Sequence, residues 1–267
     1  MKNILIIDAG LKPAWTKKTA DSLAEELGKT GGYAIERINL RDEQIHPCQG
    51  CALCLSHGEE KCRNHSDSAE KILEKMIWAD GIITVTPNYS LNIPWNLKNL
   101  YDRLAFVFHR PRLFHKASMA VVVQGVYGGK KILKYIDDLM SFWGCYTVKG
   151  SVVTGGVFPS TKLGEAVLNK NDRALKESVQ RLVKALSKVK PKRPSLFRLA
   201  IFRMTRSSMK YSSEVLPADK AYYFDKGWED TKYYYSVKLG PIHSLFGTMM
   251  DRMIKNMITK NLEKKQH

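Results

Sequence analysis

The chain predicts a doubly wound α/β domain followed by a basic, aromatic extension, and three observations carry that expectation. Over residues 1–187, five short apolar runs alternate with five amphipathic helical patterns, as a parallel sheet covered on both faces requires. Right-handed crossovers then leave the doubly wound order as the economical topology. From residue 188 onward the alternation stops, and 17 Lys/Arg against 7 Asp/Glu supply +10 of the total +17 charge. The boundary is therefore expected at 187/188. With 267 residues, 44% of them hydrophobic and 26% charged, the chain is globular and long enough to bury a core without staples. No apolar run approaches the ~18 residues of a membrane span. The opening MKNILIIDAG lacks a signal peptide's longer apolar region, so a cytoplasmic location is expected.

Each element follows from its pattern. Residues 3–8 (NILIID) read as a buried strand, a short run with β-branched residues. A helix follows over 16–28, with Ala20, Leu23, Ala24 and Leu27 on one face and Gly28 placed to end it. Residues 33–39 alternate as a second strand. A helix over 67–79 turns Ile72, Leu73, Met76 and Ile77 inward, and 81–86 (GIITVT) is the third strand. Residues 92–106 are helical, 117–124 (ASMAVVVQ) are strand, 130–143 helix, 147–154 strand and 162–186 a long amphipathic helix.

In such a sheet, ligands bind beyond the carboxyl ends of the strands, beside the switch in strand order. Three loops meet that description. Residues 9–19 open a helix with Thr16 and Thr19 and carry Lys12, Lys17 and Lys18, which suits a phosphate at a helix N-terminus. Taken by itself, Thr16 reads first as a helix cap. The second loop, Thr86-Pro87-Asn88-Tyr89 and onward to Pro94, offers fixed backbone and Tyr89 to a flat, polar-edged ring. The third, Gln124-Gly125-Val126-Tyr127-Gly128-Gly129, lets backbone approach a ligand closely. Neither G-x-G-x-x-G nor G-x-x-x-x-G-K-[ST] follows the first strand, which disfavours a dinucleotide Rossmann site and a P-loop.

Four of the five cysteines crowd into residues 48–62 with spacing C-x2-C-x2-C-x7-C: Cys48, Cys51, Cys54 and Cys62. Such crowding argues for metal or redox chemistry over a disulfide framework. Four thiolates are the complement of a [4Fe–4S] cluster, and this run is a common way to present three of them. Zinc with help from His46, His57 or His65, and a loop of free thiols, stay open beside it. Cys145 stands apart and reads as a small buried hydrophobe.

These motifs in this order resemble the NADPH-dependent FMN reductase family, and within it the cysteine-bearing branch that includes the iron–sulfur flavoproteins. The resemblance rests on Cys48, Gly50, Cys51, Cys54 and Cys62, on Ala79-Asp80-Gly81-Ile82-Ile83, on Thr86, Pro87 and Tyr89, and on Leu97-Lys98 and Asp102-Arg103. It covers about residues 1–187. It implies a flavodoxin-like fold holding FMN, with phosphate at Thr16, Lys17 and Thr19. The ring would lie against Thr86, Pro87, Asn88 and Tyr89 on one side and Gln124, Gly125, Gly128 and Gly129 on the other. Gly10-Leu-Lys-Pro13 departs from the family's usual first loop. The implied activity passes electrons from NAD(P)H through FMN to a quinone, a second flavin, a metal centre or a small electrophile. The alternative is an electron carrier without its own substrate, and a third reading is a binding protein that has lost its flavin.

Residues 188–210 hold eight basic and no acidic residues and read as a linker entering a helix. Phe197, Ala200, Ile201 and Met204 share one face of it, with Arg198, Arg203, Arg206 and Lys210 broadly opposite. Eight aromatics within 211–235 require packing, on the domain or on a second subunit. The extension is expected to complete a homo-oligomer near the flavin face. Membrane-surface contact is the next reading, and nucleic acid is not expected, since no helix-turn-helix, RRM or zinc-finger pattern accompanies the charge.

Overall fold

The computed structural model describes all residues except 157, 159, 189–191, 213–215 and 266–267, and side chains up to residue 260. The chain divides into two compact units, Met1–Gly50 with Asn64–Val189, and Cys51–Arg63 with Lys190–His267.

The first unit is built on β1 (Lys2–Asp8), β2 (Tyr33–Asn39), β3 (Gly81–Pro87), β4 (Ala117–Gln124) and β5 (Tyr146–Thr154). All neighbours pair parallel in the order β2-β1-β3-β4-β5, the flavodoxin-like order, with its switch between β1 and β3. Alternate strand residues face opposite ways. Ile4, Ile6, Ile83, Val85, Met119 and Val121 meet Ala20, Leu23 and Leu27 of α1 (Trp15–Thr30) and Leu175, Val179, Leu182 and Leu186 of α6 (Glu165–Leu186). Leu5, Ile7, Ile82, Ala120 and Val122 are buried on the other face, the side of α3 (Ser68–Trp78), α4 (Trp95–Arg103) and α5 (Gly129–Phe142). The β4–β5 register shifts between Met119 and Val121, where a Cβ on Gly150 would stand 1.7 Å from the Ala120 carbonyl oxygen. Only glycine fits there.

Several boundaries differ from expectation for local reasons. Gly28 does not end α1; the helix runs to Thr30, and Gly31 supplies the left-handed exit at φ 68°. Ile77 is largely exposed rather than inward. The expected 92–106 helix begins at Trp95, because Pro94 is its cap, and gives way to a 3-10 turn over Ala105–Phe108.

The second unit holds the four-residue helix α2 (Leu53–Ser56), α7 (Leu196–Tyr211), α8 (Pro217–Asp225) and α9 (Pro241–Lys265). α2 packs on α8, so residues 51–63 group with the extension instead of the sheet. The aromatics pack on one another: Tyr223, Trp228, Tyr233 and Tyr234 meet each other and Phe202 edge-on, and the Tyr223 and Tyr234 hydroxyls lie 3.1 Å apart. α7 corrects the expected face. Phe197 and Met204 are exposed, while Leu199, Phe202, Arg203 and Arg206 are buried. Asp251 of α9 supplies the reason, accepting from Arg203 Nη1 and Arg206 Nη2 at 2.5 Å each.

Candidate functional site

Beyond the carboxyl ends of β1, β3, β4 and β5 the first unit opens a cleft of about 660 Å³. Its walls are Lys12 and Ala14–Thr16, Pro87–Leu91, Val123–Tyr127, and Gly155, Gly156 and Phe158. That volume lies in the range of small-molecule and cofactor sites.

The first wall is set by β1's last residue. Buried Asp8 accepts from the Gly10 amide at 2.9 Å and pairs with Arg41 at 3.0 Å. A Cβ on Gly10 would meet the Thr16 Cβ at 2.9 Å, so only glycine lets the loop close on α1. The helix cap is Ala14, and no side chain caps it. Thr16 therefore does not cap α1; it lies in the first turn, nearly buried, at the cleft wall. The first-turn amides of an uncapped helix, with Lys12 beside them, form an anion-receptive corner. Trp15 adds an indole Nε1–H that is buried without a partner.

The second wall is a tight reversal. Tyr89 and Asn92 exchange backbone hydrogen bonds at 3.0 and 2.9 Å, and Ser90 and Leu91 between them take φ of 49° and 65°. Left-handed backbone at two consecutive non-glycine residues is strained, and it turns Ser90 and Leu91 into the cleft. Asn88 donates from Nδ2 to the Tyr127 carbonyl at 2.7 Å, while its Oδ1 is buried without a partner. Burial, and then the Asp8 carboxylate, raise the Tyr89 phenol above its ordinary pKa, so it remains a hydrogen-bond donor at neutral pH.

Gln124 ties the third wall: Oε1 accepts from the Gly129 amide at 2.7 Å and Nε2 donates to the Val126 carbonyl at 3.1 Å. A Cβ on Gly128 would meet Leu91 Cδ2 at 2.6 Å, so glycine there lets the second and third walls touch. Behind them, a Cβ on Gly156 would crowd Trp15 Nε1 at 2.7 Å.

Of the residues singled out in the sequence, Thr16, Pro87, Asn88, Tyr89, Gln124 and Gly125 meet at this cleft. Lys17, Thr19, Thr86, Gly128 and Gly129 are not in its lining. Lys17 pairs with Asp21 at 2.9 Å, and the Thr19 hydroxyl donates to the Trp15 carbonyl at 2.9 Å. Thr86 is fully buried, and Gly128 and Gly129 stand behind the wall as the entry to α5. Trp15, Ser90 and Leu91 lie in two of the loops singled out but were not named as contacts, and Gly155, Gly156 and Phe158 were not anticipated. The strand-end rule reaches Gly155 and Gly156, directly after β5, whereas Ser90-Leu91 carries no turn signal.

The ends of the cysteine loop are tied down within the first unit. Buried Arg103 pairs with Asp67 and donates to the carbonyls of His46 at 3.2 Å and Asn64 at 2.9 Å. Asn99 donates to the Ile45 carbonyl and accepts from the Cys48 amide. Asp67 also caps α3 and accepts from the His46 amide. Burial works against its charge, but the Arg103 hydrogen bond and those two amides hold its carboxyl below the ordinary range. Cys48 and Cys51 are exposed, Cys54 and Cys62 half-buried, and none is in a disulfide. Among the described residues, no three His, Cys, Asp or Glu side chains converge in a way that could hold a metal ion. The thiols as arranged do not fit a cluster. Cys145 is buried, and burial pushes its thiol up to about 12.

Fold and cleft define a class: α/β proteins that bind their ligand at the switch point of a flavodoxin-like sheet. Residues 2–158 match the NADPH-dependent FMN reductase family, and the chain belongs to that family. An iron-sulfur flavoprotein of Archaeoglobus fulgidus is 27% identical over 232 residues, 85% of this chain and 100% of that protein. An iron-sulfur flavoprotein of Methanosarcina thermophila is 31% identical over 137 residues, 50% of this chain and 70% of that protein. Among solved structures, an FMN-dependent NADH-azoreductase from Bacillus anthracis in complex with FMN shares the fold. Its TM-score is 0.53 at 20% identity, covering 68% of this chain and 99% of that one. No described helix is long and apolar enough to cross a membrane.

Proposed function

We propose that this chain is an FMN-dependent oxidoreductase that takes electrons from NAD(P)H and delivers them to a flat, apolar-edged acceptor of the quinone class. The carrying observation is the pairing of an anion-receptive corner with two orphaned polar atoms in one cleft at the switch point. The uncapped start of α1, Thr16 and Lys12 would hold the phosphate of FMN, and Trp15 Nε1 would donate to a polar atom of it. Asn88 Oδ1, with no partner, would accept from a ring or chain donor. When bound, FMN supplies hydride acceptance and one- or two-electron release.

The chain's own groups position and shield. Pro87 and Tyr89 fix one edge, Gln124 stiffens the opposite backbone, and glycines 125, 155 and 156 allow close approach. Exposed Val126, Tyr127 and Phe158 at the mouth give a flat acceptor an apolar surface to lie on. A cluster on Cys48, Cys51, Cys54 and Cys62 would require the 48–62 loop to rearrange from the arrangement described, and iron and sulfide analysis of protein purified without oxygen tests it. A homo-oligomer in the cytoplasm completes the reading.

Heat-released cofactor is expected to be FMN by mass spectrometry. The purified protein is expected to oxidise NADH or NADPH when a benzoquinone is added. Bound FMN without NAD(P)H oxidation would make the chain an electron carrier. A colourless protein that gains no 450 nm absorbance with added FMN would overturn both. Thr16→Val is expected to weaken FMN about tenfold, the loss of one hydrogen bond to a charged group.

A further inference from the structure

Within the second unit α7 and α9 run parallel, side by side. Arg193 approaches Gly240, Arg203 packs on Gly247 and pairs with Asp251, and Lys255 Nζ sits 5.3 Å over the Tyr211 ring. These contacts advance in step along both helices. The inner faces are occupied, with Leu199, Phe202, Arg203 and Arg206 of α7 and Gly247, Met250 and Ile254 of α9 buried.

The outer face of α9 is the anomaly. Ile242, Leu245, Met249, Met253 and Met257 are half to three-quarters exposed. Their spacing of three and four residues draws them into one apolar row roughly 22 Å long. Phe197 and Met204 of α7 are exposed as well. Projected down the two parallel helices, both rows turn to the same side of the pair. An exposed apolar row of this length marks an interaction site.

Charge selects the occupant. Arg193, Arg252, Lys255 and Lys260 are exposed along these helices. α7 contains no acidic residue, and Asp251 of α9 is turned inward onto Arg203 and Arg206. Among the described side chains of these two helices no acid faces outward, so a two-fold contact with a second copy would press like cations against each other. The geometry points to an anionic phospholipid surface as the partner of this face. The apolar row enters the headgroup–acyl boundary while the lysines and arginines meet lipid phosphates. No described helix can span a bilayer, so the helix pair lies on the surface.

The test is co-sedimentation of the full-length protein with two kinds of vesicle, phosphatidylcholine alone and equal parts phosphatidylcholine and phosphatidylglycerol. Binding is expected to favour the anionic vesicles by at least about tenfold and to weaken with added salt. Leu245→Asp with Met249→Asp should abolish it. Arg252→Gln with Lys260→Gln should weaken it about 25-fold, roughly fivefold per cation removed. All four positions are exposed, and unchanged circular dichroism confirms that each variant folds. Equal binding to both vesicles, or none, overturns the proposal. A native dimer that becomes monomeric in Leu245→Asp with Met249→Asp, without vesicle binding, assigns the face to a second copy instead.

Discussion

Each unit buries arginine against aspartate, and they do so with opposite stoichiometry. In the first unit one guanidinium, Arg103, meets one carboxylate, Asp67, which also receives two backbone amides. In the second, Arg203 and Arg206 share Asp251, and the Nε atoms of both are buried without a partner. The first arrangement is matched and local, closing a loop onto a helix start. The second sets two buried cations on one shared carboxylate, so the two nodes differ in what their removal exposes.

The largest expected effect follows from that dependence. Asp251→Asn keeps the shape but withdraws the carboxylate that pairs directly with both buried arginines. Breaking a buried pair by removing one partner costs about 3–5 kcal/mol, and here two cations lose theirs. Chemical denaturation should show a low-denaturant transition of the second unit in this variant, while Trp228 and its tyrosine neighbours lose near-ultraviolet circular dichroism. If Asp251→Asn unfolds at the native midpoint, the arginines are better solvated than their burial indicates, and the contrast between the nodes fails.

Arg103→Leu tests the matched node and should cost less, about 2–3 kcal/mol, because Asp67 keeps the Ala69 and His46 amides. Its pH dependence sharpens the comparison. The Asp67 carboxyl is held below its ordinary range, so its contribution is fully present above the unfolded value of about 3.9 and lost as pH falls through the lower folded value. The stability gap between native protein and Arg103→Leu should therefore shrink on acidification below about pH 4. A gap independent of pH would mean that Arg103 acts through packing and its carbonyl contacts alone.

The same contrast explains what the sequence could and could not reveal. The sheet was legible because each strand is an apolar or alternating run of seven to nine residues with a helical pattern behind it. The cleft was legible in part, because strand ends at a switch point are a topological rule that needs no coordinates. α7 was misread because hydrophobicity assigns arginine to solvent, and the residue that reverses this, Asp251, lies more than forty positions away. Thr19 and Lys17 have phosphate chemistry, yet helical phase gives one to its own backbone and the other to Asp21. Asp67 likewise looked like an ordinary helix start until its partner arrived from α4.

The Ser90-Leu91 turn is the part of the first unit least legible in sequence, and its test has the smallest expected effect. Leu91 adopts φ 65°, a region that disfavours residues with a Cβ by roughly 1–2 kcal/mol. Leu91→Gly relieves that strain but gives the unfolded chain more freedom, at a cost of about 0.4–1 kcal/mol. The change also removes a half-exposed side chain lying over Gly128. These terms oppose one another, so the unfolding midpoint should barely move, by less than about 0.5 kcal/mol. Function should respond more, because Leu91 lines the cleft and holds the second wall against the third. With a benzoquinone added as the proposed acceptor, KM is expected to rise severalfold with the FMN content unchanged. A loss of stability above about 1.5 kcal/mol would instead show that the Leu91–Gly128 contact holds the turn closed, and that the left-handed backbone is a consequence of packing between the walls.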